Sequence, residues 1–303
     1  MRMRVQVGTT ASEVDRVLSY GQAILLGAIQ GLTEFLPVSS SGHLVLGQAL
    51  LGLDMPGLTL EIMLHVGTAL AVALVFRADI LRMLSAVAGW RRNDPDFRLF
   101  WLLVLGSVPA ALVAVFLGEL VEQRLASPRI AASLLLVTAV LLLFGPPRAA
   151  LPERSRRDRR QRQRQGRASA REAWLTAPGA AARGLWVGVA QAVAILPGIS
   201  RSGSSLVAGM RAGIPRQEAA RFSLLLSLPV IFGGAAGDIY KLVRAGDAGL
   251  SALPWGPLLA GVGVAFVAGL FAIRGLLLAV QRARLSWFGV YCAVAGVVAL
   301  LRL

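Results

Sequence analysis

Acidic residues are scarce in this chain of 303 residues: 16 Asp and Glu stand against 31 Lys and Arg, and all charged residues together make up only 16%. Cysteine occurs once, as Cys292 in an apolar run, so an intrachain disulfide is excluded. Aromatic residues amount to 7%, and none interrupts the run of arginines from Arg154 to Arg171. That run therefore lacks the stacking surface that would accompany nucleic-acid binding, in spite of a net charge of +15.

Apolar residues are abundant instead, at 56% with a mean hydropathy of +0.67. This is beyond what a soluble domain of such length carries. They are gathered in runs at 60–76, 97–117, 130–144, 222–236, 258–273 and 287–303, several bounded by Arg, Asp or Gly-Pro. A soluble bundle would leave these helices apolar on every face, whereas a bilayer accepts them. Tryptophans 90, 101, 174, 186, 255 and 287 mostly flank the runs, as interface anchors do.

The basic tract from Arg148 to Arg183 separates two apolar blocks and reads as a disordered loop held on the cytoplasmic side, in reach of anionic lipid head groups. With that loop inside, the connection 119–129 falls outside and 77–96, with Arg82, Arg91 and Arg92, falls inside. In the second half 238–250 falls outside and 281–285 inside.

Two regions outside the six runs, 20–53 and 184–210, are apolar on both sides of a polar break. Shifted by 161 residues, Gly27 meets Gly188, Gln30 meets Gln191, Ser39 meets Ser200, Ser41 meets Ser202 and Gly42 meets Gly203. Three apolar runs follow each break, so the chain reads as a duplication, 17–145 and 184–303 about the loop 146–183. Counting crossings makes the halves inverted. The expected architecture is an all-α integral membrane protein with six transmembrane helices and two re-entrant helix-loop-helix hairpins entering from opposite faces and meeting near the middle. Pro37 and Pro197 end the descending helices, and the Ser-x-Ser-Gly turns offer N–H groups and hydroxyls to a phosphate.

Glu34, His43 and Arg201 are ionisable residues in apolar surroundings, where function is the default reading. Arg201, flanked by Ser200 and Ser202, suits phosphoryl oxygens; a structural ion pair with Glu34 is its competing role. Gln30 and Glu34 share a helix face and suit a divalent ion or a structural polar pair. His43, one of two histidines, follows Ser39, Ser40 and Ser41 and suits a nucleophile or general acid/base. Glu61 and His65, four apart, fit a supporting contact, a metal contact or a membrane-interface pair.

The segments Gln30-Gly-Leu-Thr-Glu-Phe-Leu-Pro-Val-Ser-Ser-Ser-Gly-His43 and Pro197-Gly-Ile-Ser-Arg-Ser-Gly-Ser-Ser205 resemble the two motifs of the bacterial undecaprenyl-diphosphate phosphatase, or bacitracin-resistance, family, over essentially the whole chain. The resemblance implies hydrolysis of a polyprenyl diphosphate to the monophosphate, which recycles the carrier lipid for peptidoglycan and other envelope polymers. It implies a plasma-membrane location, a site open to the periplasm or outside, and a divalent cation, Mg²⁺ or Ca²⁺.

Catalytic roles then fall on Glu34, Ser40, His43 and Arg201, and metal binding on Glu34 and Gln30. Phosphate binding falls on Ser39, Ser41, Ser200, Arg201, Ser202, Gly203 and Ser205. Gln30 stands where many relatives carry Glu, which weakens metal binding, and Ser205 replaces the usual Thr while keeping the hydroxyl. Either Ser40, helped by His43, or His43 itself makes the attack. The expected partners are the polyprenyl diphosphate and bilayer lipids, with no nucleic acid; a homodimer is compatible. The rival reading is a transporter or flippase for a polyprenyl phosphate lipid, which needs binding groups and gates but no phosphate release.

Overall fold

A computed structural model describes residues 18–53, 58–125, 127–145, 170–244, 253–282 and 285–303. Among the described residues its longer elements are α-helices. They are α1 (Tyr20–Phe35), α2 (Ser40–Leu50), α3 (Leu58–Val75), α4 (Arg77–Ala88), α5 (Pro95–Leu125) and α6 (Pro128–Leu143), followed by α7 (Ala180–Val193), α8 (Arg201–Arg211), α9 (Arg216–Arg244), α10 (Trp255–Gln281) and α11 (Leu285–Arg302). Local chemistry sets the boundaries. Ser19 and Gln22 form a capping box at the start of α1, and Pro37 forces the extended conformation of Leu36 that ends it. Ser127 caps α6, with Pro128 at its first position.

Among the described residues, four segments are long and apolar enough to cross a membrane: Pro95–Gly118, Arg216–Gly237, Trp255–Gln281 and Leu285–Arg302. Leu60–Val75 and Pro128–Leu143 are shorter apolar helices. Their outer faces carry large apolar side chains, such as Val115 at 78% and Phe116 at 76% exposure, while Gln30, Glu34, Thr68, Thr138 and Gln191 are buried. Polar inside and apolar outside is the distribution a membrane protein requires.

Each break appears as a pair of helices, α1 with α2 and α7 with α8, and the first helix of each pair leans on a helix from the other half of the chain: α1 on α10, and α7 on α5. Small residues permit it. Ala23, Gly27 and Gly31 line one face of α1, and Gly184, Gly188 and Ala192 line one face of α7, all buried. A methyl group on Gly27 would run into the carbonyl of Gly261, and one on Gly188 into the carbonyl of Gly106. These are the close backbone approaches that small residues four apart allow. Replacing Gly27 or Gly188 with alanine is expected to cost about 1–3 kcal/mol, seen as a lower thermal midpoint in detergent. Gly263→Ala on α10, where the methyl meets nothing within 4 Å, should lower it little or not at all.

Several connections differ from expectation. The stretch 77–96, expected as a connection, holds the amphipathic helix α4, and α5 and α9 run on into the expected loops at 119–129 and 238–250. Much of the arginine tract, 146–169, lies outside the described residues, but 170–176 is helical and α7 begins at Ala180, so the end of the tract is ordered. The cause is ion pairing. Asp79 on α4 is buried and accepts from Arg82, from Arg171 at 2.9 Å and from Arg221 at 2.7 Å, while Asp96 accepts from Arg82 at 3.3 Å and from Arg171. Three guanidinium groups on two carboxylates fix this end of the molecule, and no single element's sequence reveals them.

Candidate active site

The two polar breaks interlock. Ser39 sits at φ 67°, ψ 91°, a strained conformation for a residue with a Cβ. Its hydroxyl oxygen compensates by accepting from the backbone N–H of Gly198 at 3.1 Å and of Gly42 at 3.4 Å. From the other side, the Ser202 hydroxyl donates to the carbonyl of Leu36 at 3.0 Å. Gly198, at φ 103°, lies so close to Ala131 and Leu134 that no Cβ fits. Gly42 lets α2 approach Gly198, and Gly203 lets α8 approach Pro37. Thr138 on α6 ties the second loop down, donating to the Gly198 carbonyl at 2.8 Å and accepting from the Ser200 N–H at 2.9 Å. The starts of α2 and α8, each with first-turn N–H groups that have no partner within their own helix, are thereby held beside each other.

At this junction Glu34, with a side chain 2% exposed, is the hub. One carboxylate oxygen pairs with Arg201; the other accepts from Ser40 Oγ at 2.5 Å and Gln30 Nε2 at 3.0 Å and lies 3.3 Å from His65 Nε2. His65 Nδ1 meets the Glu61 carbonyl at 2.7 Å, so both ring nitrogens face acceptors, the pattern of an imidazolium. Four helices, α1, α2, α3 and α8, thus deliver Glu34, Ser40, His65 and Arg201 to one point. The ion pair considered for Arg201 is present, and His65 touches Glu34 directly, which the i,i+4 pattern with Glu61 did not reveal.

His43 is the exception. Its Nδ1 bonds the Ser39 carbonyl at 2.8 Å, its Nε2 meets the Tyr291 hydroxyl at 2.8 Å, and the two rings stack 5.6 Å apart. Both nitrogens are therefore engaged away from Ser40, whose hydroxyl points to Glu34 rather than to the imidazole. The serines divide in a similar way. Ser39, Ser200, Ser202 and Ser205 are buried and committed to protein partners, with Ser205 bonded to the Arg201 carbonyl at 2.7 Å and to Ser223 Oγ at 2.6 Å, away from the cluster. Ser40 and Ser41, in the first turn of α2, are half-buried. Tyr291, Thr138 and Ser223 were not anticipated. Their one sequence signal is a hydroxyl inside an apolar run.

A metal would find limited protein donors. No group of three or more His, Cys, Asp and Glu stands together among the described residues. Gln30 Oε1 is a buried acceptor without a hydrogen-bond partner, while the amide nitrogen of the same side chain faces the Glu34 carboxylate; an amide oxygen and a carboxylate are both donor types that hard divalent cations take.

Beside the junction, on the far face of α1 from Glu34, a groove of about 910 Å³ opens between α1, α2 and α11. Its walls are almost wholly apolar, with Leu25, Ile29, Leu46 and Phe288 among them, and His43 and Tyr291 stand on its lining.

The model of the bacitracin resistance protein BacA family matches residues 23–298. A protein of Desulfatibacillum aliphaticivorans named undecaprenyl-diphosphatase is 38% identical over 91% of this chain and 95% of its own length. One of that name from Rubrobacter xylanophilus is 39% identical over 93% and 98%, and one from Mycobacterium avium 38% over 92% and 95%. With the interlocked loops and both motifs inside the matched span, the chain belongs to the bacitracin resistance protein family.

Proposed function

We propose that the protein hydrolyses undecaprenyl diphosphate to undecaprenyl phosphate and inorganic phosphate, and so returns the carrier lipid to cell-wall synthesis. The observation that carries this reading is the meeting, on Glu34, of a hydroxyl from one break and a guanidinium from the other. A carrier needs no hydroxyl beside a phosphate-binding arginine, whereas a phosphatase does.

In the proposed reaction the terminal phosphate competes with Glu34 for Arg201. As the guanidinium turns to the phosphoryl oxygens, Glu34 loses a cationic partner and becomes a better acceptor for the Ser40 proton it already faces. Ser40 Oγ attacks the terminal phosphorus, the bond to the bridging oxygen breaks, and undecaprenyl phosphate leaves. First-turn N–H groups of α2 and α8 and the Arg201 guanidinium carry the charge of the transferring group. Water then cleaves the phosphoserine. His43, three residues beyond Ser40 on α2, serves as the base for that water once its Nε2 is released from the Tyr291 hydroxyl and turned toward Ser40. Ser41 is the remaining half-buried hydroxyl in reach of the phosphate, while Ser39, Ser200, Ser202, Gly203 and Ser205 shape the loops that hold it.

A Mg²⁺ or Ca²⁺ ion would be held by Glu34 and Gln30 and would supply charge neutralisation for the diphosphate. Chelation should abolish activity, and Gln30→Glu should lower the Mg²⁺ concentration for half-maximal rate by roughly tenfold, since ligand charge tunes such sites. Unchanged metal dependence in that variant would remove Gln30 from the ion's surroundings.

The prenyl chain lies in the groove between α1, α2 and α11, which continues from His43. The topology that suits this substrate is six crossings and two re-entrant pairs in inverted repeats, 17–145 and 184–303. The basic segment 146–183 lies inside and the site opens outward. The matching small-residue faces of α1 and α7, each packed on the opposite half, support the repeat. Bilayer lipids cover the outer faces, and a homodimer would use one of them. Purified protein in detergent should release phosphate from undecaprenyl diphosphate; one that binds the lipid and releases none is a carrier.

A further inference from the structure

Tyr291 takes no part in the chemistry proposed at Glu34, yet the helix that carries it is held closely against α6 and the first break. Helix α11 packs on α6 through Gly289 and Gly296, where an added methyl would lie 2.9 Å from the Leu143 side chain and 2.8 Å from that of Leu136. The neighbouring Cys292 is fully buried, with its thiol directed to the carbonyl of Pro37 at 3.8 Å. The end of the first break and the helix that carries Tyr291 are therefore registered against each other. The Tyr291 ring is 47% exposed on a face that otherwise presents Trp287, Val290, Val294 and Val298, and it lines the apolar groove. A phenol on such a face needs a polar partner, and His43 provides it across 248 positions of sequence.

The hydrogen-bond directions follow from the groups. The Ser39 carbonyl can only accept, so His43 Nδ1 carries a proton. In the neutral imidazole Nε2 is then the lone-pair nitrogen and accepts from the Tyr291 hydroxyl. Parallel stacking, with 9° between the planes, fixes the ring rotation as well. We infer that Tyr291 is a positioning residue for His43: it holds the imidazole in the Nδ1–H tautomer and keeps the Nε2 lone pair on the groove wall before substrate arrives, and the phenol O–H turns off that lone pair when Nε2 takes a proton from water. This rests on the reading of the chain as a diphosphatase with His43 in its site.

Tyr291→Phe keeps the ring and the groove and removes only the hydroxyl. Turnover of undecaprenyl diphosphate should fall roughly three- to tenfold, the equivalent of one hydrogen bond, with KM unchanged. In a His43→Ala background the same substitution should cause no further loss, since the two residues act as a unit. An equal loss in both backgrounds, a change confined to KM, or no loss at all would overturn the inference. A second readout does not depend on turnover. With only two histidines in the chain, the ring nitrogens of ¹⁵N-histidine-labelled protein separate into His43 and His65. Tyr291→Phe should move the His43 Nε2 resonance and leave those of His65 in place, and an unmoved Nε2 counts against the bond. Wild-type protein that releases no phosphate would sink the functional reading, and the nitrogen spectra alone would then decide whether Tyr291 sets the tautomer.

Discussion

Arg201→Ala is expected to reduce turnover at least a hundredfold while the protein still folds. The guanidinium is the one cation that the second break brings to the junction, and losing a donor aimed at transition-state charge costs about two to three orders of magnitude in rate. The ground state suffers as well, because Glu34, 2% exposed, loses its strongest partner and keeps Ser40, Gln30 and His65. Those three leave the carboxylate solvated by the protein, so the thermal midpoint in detergent should fall without collapse. Arg201→Lys keeps the charge but not the two-pronged geometry and should recover only part of the rate. Near-normal turnover of the alanine variant, measured as phosphate release, would remove Arg201 from the site.

Glu34→Gln carries the second large effect, and it separates binding from chemistry. The amide keeps the shape but offers Ser40 a poor proton acceptor, so kcat should drop by about two to four orders of magnitude, the range spanned by acid–base groups. The same change frees Arg201 from its ion pair before substrate arrives. With Mg²⁺ at saturation, the diphosphate no longer competes with a carboxylate for the guanidinium, and its Kd should fall or stay level rather than rise. A loss expressed mainly as weaker binding would mean that Glu34 holds substrate, through the ion or otherwise, and does not take the Ser40 proton.

How much of this was legible in the sequence depends on the range of the interaction. The six apolar runs each became a helix, because an apolar run in a bilayer has no other way to satisfy its backbone, and the charges in them, Glu61, Arg98 and Arg302, stand near the ends. Gln30 and Glu34, four apart on one helix, were assigned to a common face, and their side chains bond at 3.0 Å. The pairing of Glu34 with Arg201 was one of two roles foreseen for that arginine, since a buried charge needs a counter-charge and few are present.

Other contacts between distant elements were not legible. His65 reaches Glu34 only because α3 packs beside α1, and Tyr291 captures His43 only because glycines on α11 fit against α6. Proximity in sequence did not give the geometry of Ser40 and His43 either: the bonds to the Ser39 carbonyl and the Tyr291 hydroxyl turn the imidazole away from the serine three residues before it. Over 77–96, Arg82, Arg91 and Arg92 suggest a connection, whereas Asp79 turns inward on the amphipathic α4 to gather arginines from three elements.

The most direct measurement is the fate of the transferred phosphorus. Undecaprenyl diphosphate labelled in its terminal phosphate, mixed with purified protein and quenched in acid within the first turnover, should leave label on the peptide that carries Ser40. Ser40→Ala should show neither that label nor phosphate release above about one per cent of wild type, as expected when a nucleophile that acts as part of a unit is removed. Label recovered on His43, or a Ser40→Ala protein that releases phosphate at the wild-type rate, would contradict the account.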